Sequence, residues 1–144
     1  RWDDVKYEPG EIKVIAYKSG KRWADEIVKT TGNANQLSIS ADRNVINADG
    51  TDLSFITVKI ADENGSMVPD ANNKVIFSIE GPGEIVATDN GDPANLVSFA
   101  SKEREAYFGL ALVIVRSQQG KPGTIKIHAS STGLKTAAVD IKSK

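Results

Sequence analysis

The sequence predicts an all-β fold, dominated by an antiparallel sandwich from about residue 36 to the C-terminus. Three observations predict it. Apolar residues recur at every second position in run after run, the mark of strands with one buried face. Turn-forming pairs separate these runs at short spacing. No window carries the three-to-four-residue stripe of an amphipathic helix.

The elements follow in chain order. Residues 1 to 32 differ in kind from the rest. "DVKY", "EIKVIAYK" and "RWADEIVKT" read as three strands joined by "EPG" and "SGK". Three strands make half a sandwich, so residues 1–34 are expected to be the terminal strands of a preceding β-sandwich domain. The polar "TGNANQ" (31 to 36) has almost nothing to bury. It reads as a hinge, with the main domain over 35–144.

Beyond the hinge, "TVKIA" places Val58 and Ile60 on one face, and Ile56 extends that face backward. "KVIFSIE" aligns Val75, Phe77 and Ile79. "TIKIHAS" aligns Ile125, Ile127 and Ala129, with Lys126 and His128 pointing the other way. "AAVDIK" aligns Ala137, Val139 and Ile141. "YFGLALVIVRS" is apolar on both phases and is expected to be a central strand buried on both sides. Between the runs lie "ADGT", "ENGS", "GPG", "DNGD", "GKPG" and "STG". Asp-Gly and Asn-Gly pairs tolerate the positive φ angles that tight turns need.

Composition narrows the function classes. The chain has 144 residues, 18 basic and 19 acidic side chains and a net charge of −1. Without a basic stripe, neither nucleic acid nor an anionic membrane is an expected partner. No cysteine is present, so disulfides, thiol nucleophiles and thiolate metal sites are excluded. The abrupt start inside a strand-like run reads as a piece cut from a longer protein.

From Gln36 onward the text resembles bacterial immunoglobulin-like repeats of the invasin/intimin kind. The carrying residues are "LSISADRNVINADGTDLSFITVKIADENGSMVPDANNKVIFSIEGPGEI". The second half resembles the C-terminal domain of family 2 glycoside hydrolases, the long β-galactosidase-type enzymes of gut Bacteroidetes. That resemblance rests on "DNGDP", Phe99, Arg104, Ala106, Gly109 and "ALVIVRS" (111 to 117). Residues 2–32 look like the last strands of the domain that precedes it there. One departure is mild: Tyr107, Phe108, Gly109 and Leu110 stand where the family often has phenylalanine and then glycine-lysine.

The resemblance implies an immunoglobulin-like sandwich acting as a non-catalytic accessory domain. Other domains of the parent hydrolase would be its partners, carbohydrate would be a weak further one, and the compartment would be periplasmic or extracellular. The family's two catalytic glutamates lie on a separate (β/α)₈ barrel that this chain lacks, so no catalytic residue carries over. The alternative is an immunoglobulin-like spacer or adhesion module of a bacterial surface protein.

Each candidate site has a structural reading beside the chemical one. Asp89, Asn90 and Asp92 crowd around Gly91 and Pro93. A retaining glycosidase needs two carboxyl groups roughly 5 Å apart on a rigid floor. An ordered turn capping its own amides is favoured over a cation site or contact with the parent's active site. Asn47, Asp49 and Thr51 start like a calcium loop, but Val58 stands where a bidentate glutamate is needed, so a hairpin is favoured. His128, the only histidine, has no cysteine or second histidine to share a metal. Trp2, Trp23, Tyr7 and Tyr17 are expected in a core or inter-domain contact rather than stacking on sugar. Asn64 in "ENGS" reads as a turn. Glu80 and Glu84, flanking "GPG", are expected to face solvent rather than to work as an acid/base pair. No catalytic, cofactor or metal residue is therefore assigned, and no cofactor is expected.

Overall fold

The computed structural model describes residues 3–144, and it divides into two compact units, Arg1–Thr31 and Gly32–Lys144. Among the described residues every regular element is a strand.

The first unit is a two-stranded antiparallel ribbon. β1 (Glu11–Lys18) pairs with β2 (Lys21–Lys29), with Ile12 opposite Val28 and Ile15 opposite Asp25. The register shifts by one residue between Ala16 and Tyr17, just before the turn at Ser19 and Gly20, both at positive φ. The stretch "DVKY" is irregular rather than a third strand. Tyr7 and the following Gly10 are tied to Thr30, whose amide donates to the Gly10 carbonyl at 2.8 Å. The Tyr7 hydroxyl meets Thr30 Oγ1 at 3.4 Å, and the Gly10 amide donates to the same oxygen at 3.0 Å.

The second unit is an immunoglobulin-like sandwich. One sheet has the order β3-β5-β9-β7, from β3 (Gln36–Ala41), β5 (Leu53–Ala61), β9 (Leu110–Ser117) and β7 (Gly83–Asp89). The other has the order β4-β11-β10-β6-β8, from β4 (Val45–Ile46), β11 (Ala137–Ser143), β10 (Gly123–Ser130), β6 (Lys74–Glu80) and β8 (Glu103–Glu105). All pairings between these strands are antiparallel except the short parallel contact of β4 with β11. That contact arises because the chain leaves one sheet after Ala41 and joins the other at Val45.

Period-two patterning puts the predicted faces inside. Ile56, Val58, Ile60, Val75, Ile125, Ile127, Ala129 and Ile141 are fully buried, and Ile79, Ala137 and Val139 pack at the margin. Each full burial of such a side chain stabilises by about 1.5–3 kcal/mol relative to exposure. "GPG" carries the chain from one sheet to the other. A Cβ on Gly81, at φ +88°, would lie 2.1 Å from the Thr124 carbonyl oxygen, so only glycine fits this crossing.

Two expectations need correction. β9 is central in its sheet, but only the phase of Ala111, Val113, Val115 and Ser117 is buried; Leu110, Leu112 and Ile114 remain half-exposed on the outer face. Nothing in this unit forms a third layer to cover them. Tyr107 to Gly109 are not strand either. Phe108 (φ 49°) and Gly109 (φ 76°) make a two-residue turn closed by reciprocal Tyr107–Leu110 backbone hydrogen bonds of 2.8 and 3.1 Å.

The polar stretch at the start of the sandwich is also better anchored than its composition implies. The Gly32 amide donates to Asp62 Oδ2 at 2.9 Å, the Asn35 amide to the Ala61 carbonyl, and Ala34 packs on the core. The compact unit therefore begins at Gly32.

Candidate functional site

The Asp89 loop and the chain that follows it form the densest polar constellation in the sandwich. β7 is an edge strand of one sheet and β8 an edge strand of the other, and residues 90–102 run between them. The loop begins with side chains turned on their own backbone. Asp89 Oδ1 accepts the amides of Asn90 (2.7 Å) and Gly91 (3.2 Å). Asn90 Oδ1 accepts the Asp92 amide, and Asp92 Oδ1 the Ala94 amide, at 3.0 and 2.9 Å. Gly91 takes φ +76°, and Asn90 Nδ2 ties the loop to the Glu105 carbonyl at 2.9 Å. Consecutive Asx turns of this kind engage one oxygen of each side chain with the loop's own amides.

The far half of the loop is held by Arg104, which is 2% exposed. Its guanidinium reaches from β8 to the seam between the sheets. Nη2 donates to the carbonyls of Thr88 (2.7 Å) and Ser98 (2.8 Å), and Nη1 to Asn95 Oδ1 (3.0 Å) and the Val97 carbonyl (2.9 Å). Nε meets Thr88 Oγ1 at 3.3 Å, and that hydroxyl donates to the Ser101 carbonyl. All five N–H groups thus have an acceptor, and every acceptor is neutral. A buried guanidinium without a carboxylate is costly, so this fork must return its value by ordering the loop. The Thr88 amide also donates to the Phe99 carbonyl at 2.7 Å. The loop therefore pairs along the free edge of β7 and closes it against other strands.

Arg104 is the residue that residue-by-residue reading missed. In "EREA" it shares its phase with Ala106 and opposes Glu103 and Glu105. A cation on the inward phase of a strand was the available signal.

The other candidates separate. Asp49 Oδ1 accepts the Thr51 amide (2.8 Å), the Thr51 hydroxyl (3.0 Å) and the Asp52 amide (2.7 Å). These bonds, the Thr51 amide first, hold its carboxyl below the usual 3.8. Asp52 accepts the Asn47 amide at 2.8 Å and pairs with Arg43 at 2.8 Å, which likewise lowers its pKa, the Asn47 amide contributing most. The "NADGTD" segment is a self-capped turn. Asp62, 2% exposed, does the same for "ENGS": it accepts the amides of Gly32, Asn64 and Ser66, and its pKa is lowered chiefly by Gly32, against an opposing effect of burial. Asn64 is an exposed turn residue.

Glu80 and Glu84 end on different sheets, both on exposed, outward phases. Glu84 pairs with Arg116 opposite it at 2.7 Å. Glu80 Oε1 lies 3.3 Å from His128 Nε2, an ion-pair distance once the imidazole is protonated but without hydrogen-bond geometry. Among the described residues, no three His, Asp or Glu side chains gather to hold a metal ion.

The aromatic residues of the first unit are not a core. Trp23 is 71% exposed, with Lys18 Nζ 5.7 Å from its ring centroid, and Tyr7 and Tyr17 are exposed as well. The ribbon has no second layer to bury them. Trp2 lies outside the described residues.

The sandwich is of the immunoglobulin-like class, and its Asp49, Asp62 and Asp89 turns are capped by their own side chains. Residues 37–140 match the family model described as glycoside hydrolase family 2 C-terminal domain 5, and the chain belongs to that family. Residues 1–24 match a second model, described as a domain of unknown function (DUF4982). The chain is 41% identical, over 97% of its length, to the beta-galactosidase BoGH2A of Bacteroides ovatus, of which it covers 16%. It is 31% identical over 99% of its length to a beta-glucuronidase of Formosa agariphila, covering 14% of that protein. The crystal structure of a glycosyl hydrolase family 2 member from Bacteroides cellulosilyticus superposes with a TM-score of 0.92 at 34% identity, over 97% of this chain and 18% of that one. The chain thus spans about a sixth of the length of these relatives.

Proposed function

We propose that this chain is a non-catalytic accessory domain of a beta-galactosidase-type glycoside hydrolase. One observation carries the reading. The segment is similar to a beta-galactosidase over 97% of its own length yet makes up only 16% of that enzyme. The geometry supports it, because the carboxylates of the Asp89, Asp49 and Asp62 turns cap their own backbones and Glu80 and Glu84 stand on different sheets. What remains for the domain is to bury surface against the rest of the enzyme. Residues 1–31 belong, in this proposal, to the sandwich domain before it, whose missing strands cover the exposed faces of the β1–β2 ribbon. The enzyme is periplasmic or extracellular, which cell fractionation tests.

The activity test is direct. The purified chain releases no nitrophenol from an aryl β-galactoside, whereas the longer polypeptide does. Hydrolysis by the chain alone, abolished by Asp92→Asn, contradicts the reading. A longer polypeptide that consists only of further copies of this module contradicts it too, and would favour a surface spacer.

A further inference from the structure

The Arg104-held loop presents apolar side chains that its own fold leaves largely open, although the Phe99 ring lies 5.9 Å from the Arg104 guanidinium. Residues 93–101, "PANLVSFAS", carry no charge, in a chain where about a quarter of residues are charged. Leu96 is 99% exposed, Phe99 64% and Val97 47%. Such side chains on a floppy tip would be unremarkable. Here the backbone beneath them is fixed at both neighbours of Leu96: Asn95 Oδ1 and the Val97 carbonyl are both acceptors of Arg104, and Asn95 Oδ1 also takes the Val97 amide at 2.9 Å. Closing the β7 edge explains why residues 98–101 are ordered. It does not explain why a buried, unneutralised guanidinium also fixes the segment under a fully exposed leucine.

We propose that Leu96, Val97 and Phe99 form a preorganised apolar prong that seats in a pocket of another domain of the same polypeptide. The inference rests on the accessory-domain reading. Three observations choose this occupant. The curated relatives carry this segment as only 14–16% of their length, so more than four-fifths of such an enzyme lies outside it. Uncharged, apolar contact surface is the composition of permanent interfaces and of interface cores, whereas transient surfaces keep charge. A rigid loop loses little entropy on docking, which favours a fixed intramolecular seat over adaptable capture of varied partners.

Hydroxyl-radical footprinting tests this on the full-length enzyme beside the 144-residue chain. Labelling of Leu96 and Phe99 falls several-fold in the full-length enzyme, independent of its concentration. Leu96→Asp, which touches no internal contact, restores Phe99 labelling there and leaves the thermal midpoint of the 144-residue chain unchanged. Equal labelling in both proteins overturns the prong. Protection that appears only as concentration rises overturns it in favour of a second copy. Activity of the longer polypeptide is measured separately, so an active enzyme with an unprotected Leu96 sinks the prong and leaves the accessory-domain reading standing.

Discussion

The β1–β2 ribbon and the sandwich are built from the same alternation, and it buries side chains in only one of them. In β5, Ile56, Val58 and Ile60 are fully buried; in β1, Ile12 and Val14 are 61% and 49% exposed. The difference is a second layer. Gly32–Lys144 supplies two sheets that cover each other, while the ribbon is a two-stranded sheet whose Ile12, Val14, Trp23 and Val28 are exposed. Period two specifies a strand and its faces. Burial needs a partner sheet, and an isolated two-stranded ribbon is marginal in water.

The largest contrast should come from aromatic truncation on each side. Phe77→Ala in β6 opens a cavity between the sheets and costs about 4 kcal/mol in urea unfolding. Trp23→Ala in β2 shifts the same transition by less than about 0.5 kcal/mol, as expected for an exposed site. Comparable losses at the two positions would mean that the ribbon shares the sandwich core.

Next is Arg104→Ala, which strands the carbonyls of Thr88, Val97 and Ser98 and should cost about 3 kcal/mol. Amide exchange should accelerate over residues 88–101 before it does elsewhere. Arg104→Lys should recover little, since one ammonium cannot replace the fork. Full recovery by lysine would show that charge, not geometry, matters at the seam.

Gly81→Ala should cost about 2 kcal/mol, from a positive φ and a clash with the Thr124 carbonyl. The same change at Gly20 in the ribbon, also at positive φ, meets nothing within 4 Å and carries the strain alone. Gly81→Ala should therefore be the worse of the two when thermal midpoints are compared.

The smallest effect concerns pH. Asp49, Asp52 and Asp62 have folded-state pKa values below 3.8, each from accepted hydrogen bonds. Their contribution is complete above the unfolded-state value and is lost as pH falls through 3.8 toward the folded-state values. Stability should therefore drop on acidification below about pH 4, and Asp62→Asn should flatten that drop. An unchanged slope in Asp62→Asn would remove Asp62 from the account. All three groups are in the sandwich.

These outcomes bear on what the sequence made legible. The inward phases of β5, β6, β10 and β11 could be read directly, because a polar residue on the wrong phase would sit inside the sandwich. The Asx turns were legible too, since Asp, Asn and Gly at two-residue spacing have few other uses. The outer phase of β9 misled. Leu110, Leu112 and Ile114 are apolar enough to be covered, but coverage depends on atoms outside the sandwich. "DVKY" misled for a related reason: alternation over four residues costs nothing to imitate, and no ladder partner is present. Arg104 entered only as part of the family resemblance, not as a structural residue, because a single arginine in a charged tripeptide looks solvated until its neighbours' phase is considered.

Amide hydrogen exchange across the whole chain tests the central claim most directly. If the sandwich and the ribbon are separate cooperative units, amides in β5, β9 and β10 should exchange only with global unfolding, and β1–β2 amides orders of magnitude faster through local opening. If β1 and β2 instead share the slow exchange of β9, the ribbon is part of the same cooperative unit, and the division at Thr31 and Gly32 does not describe how this protein is stabilised.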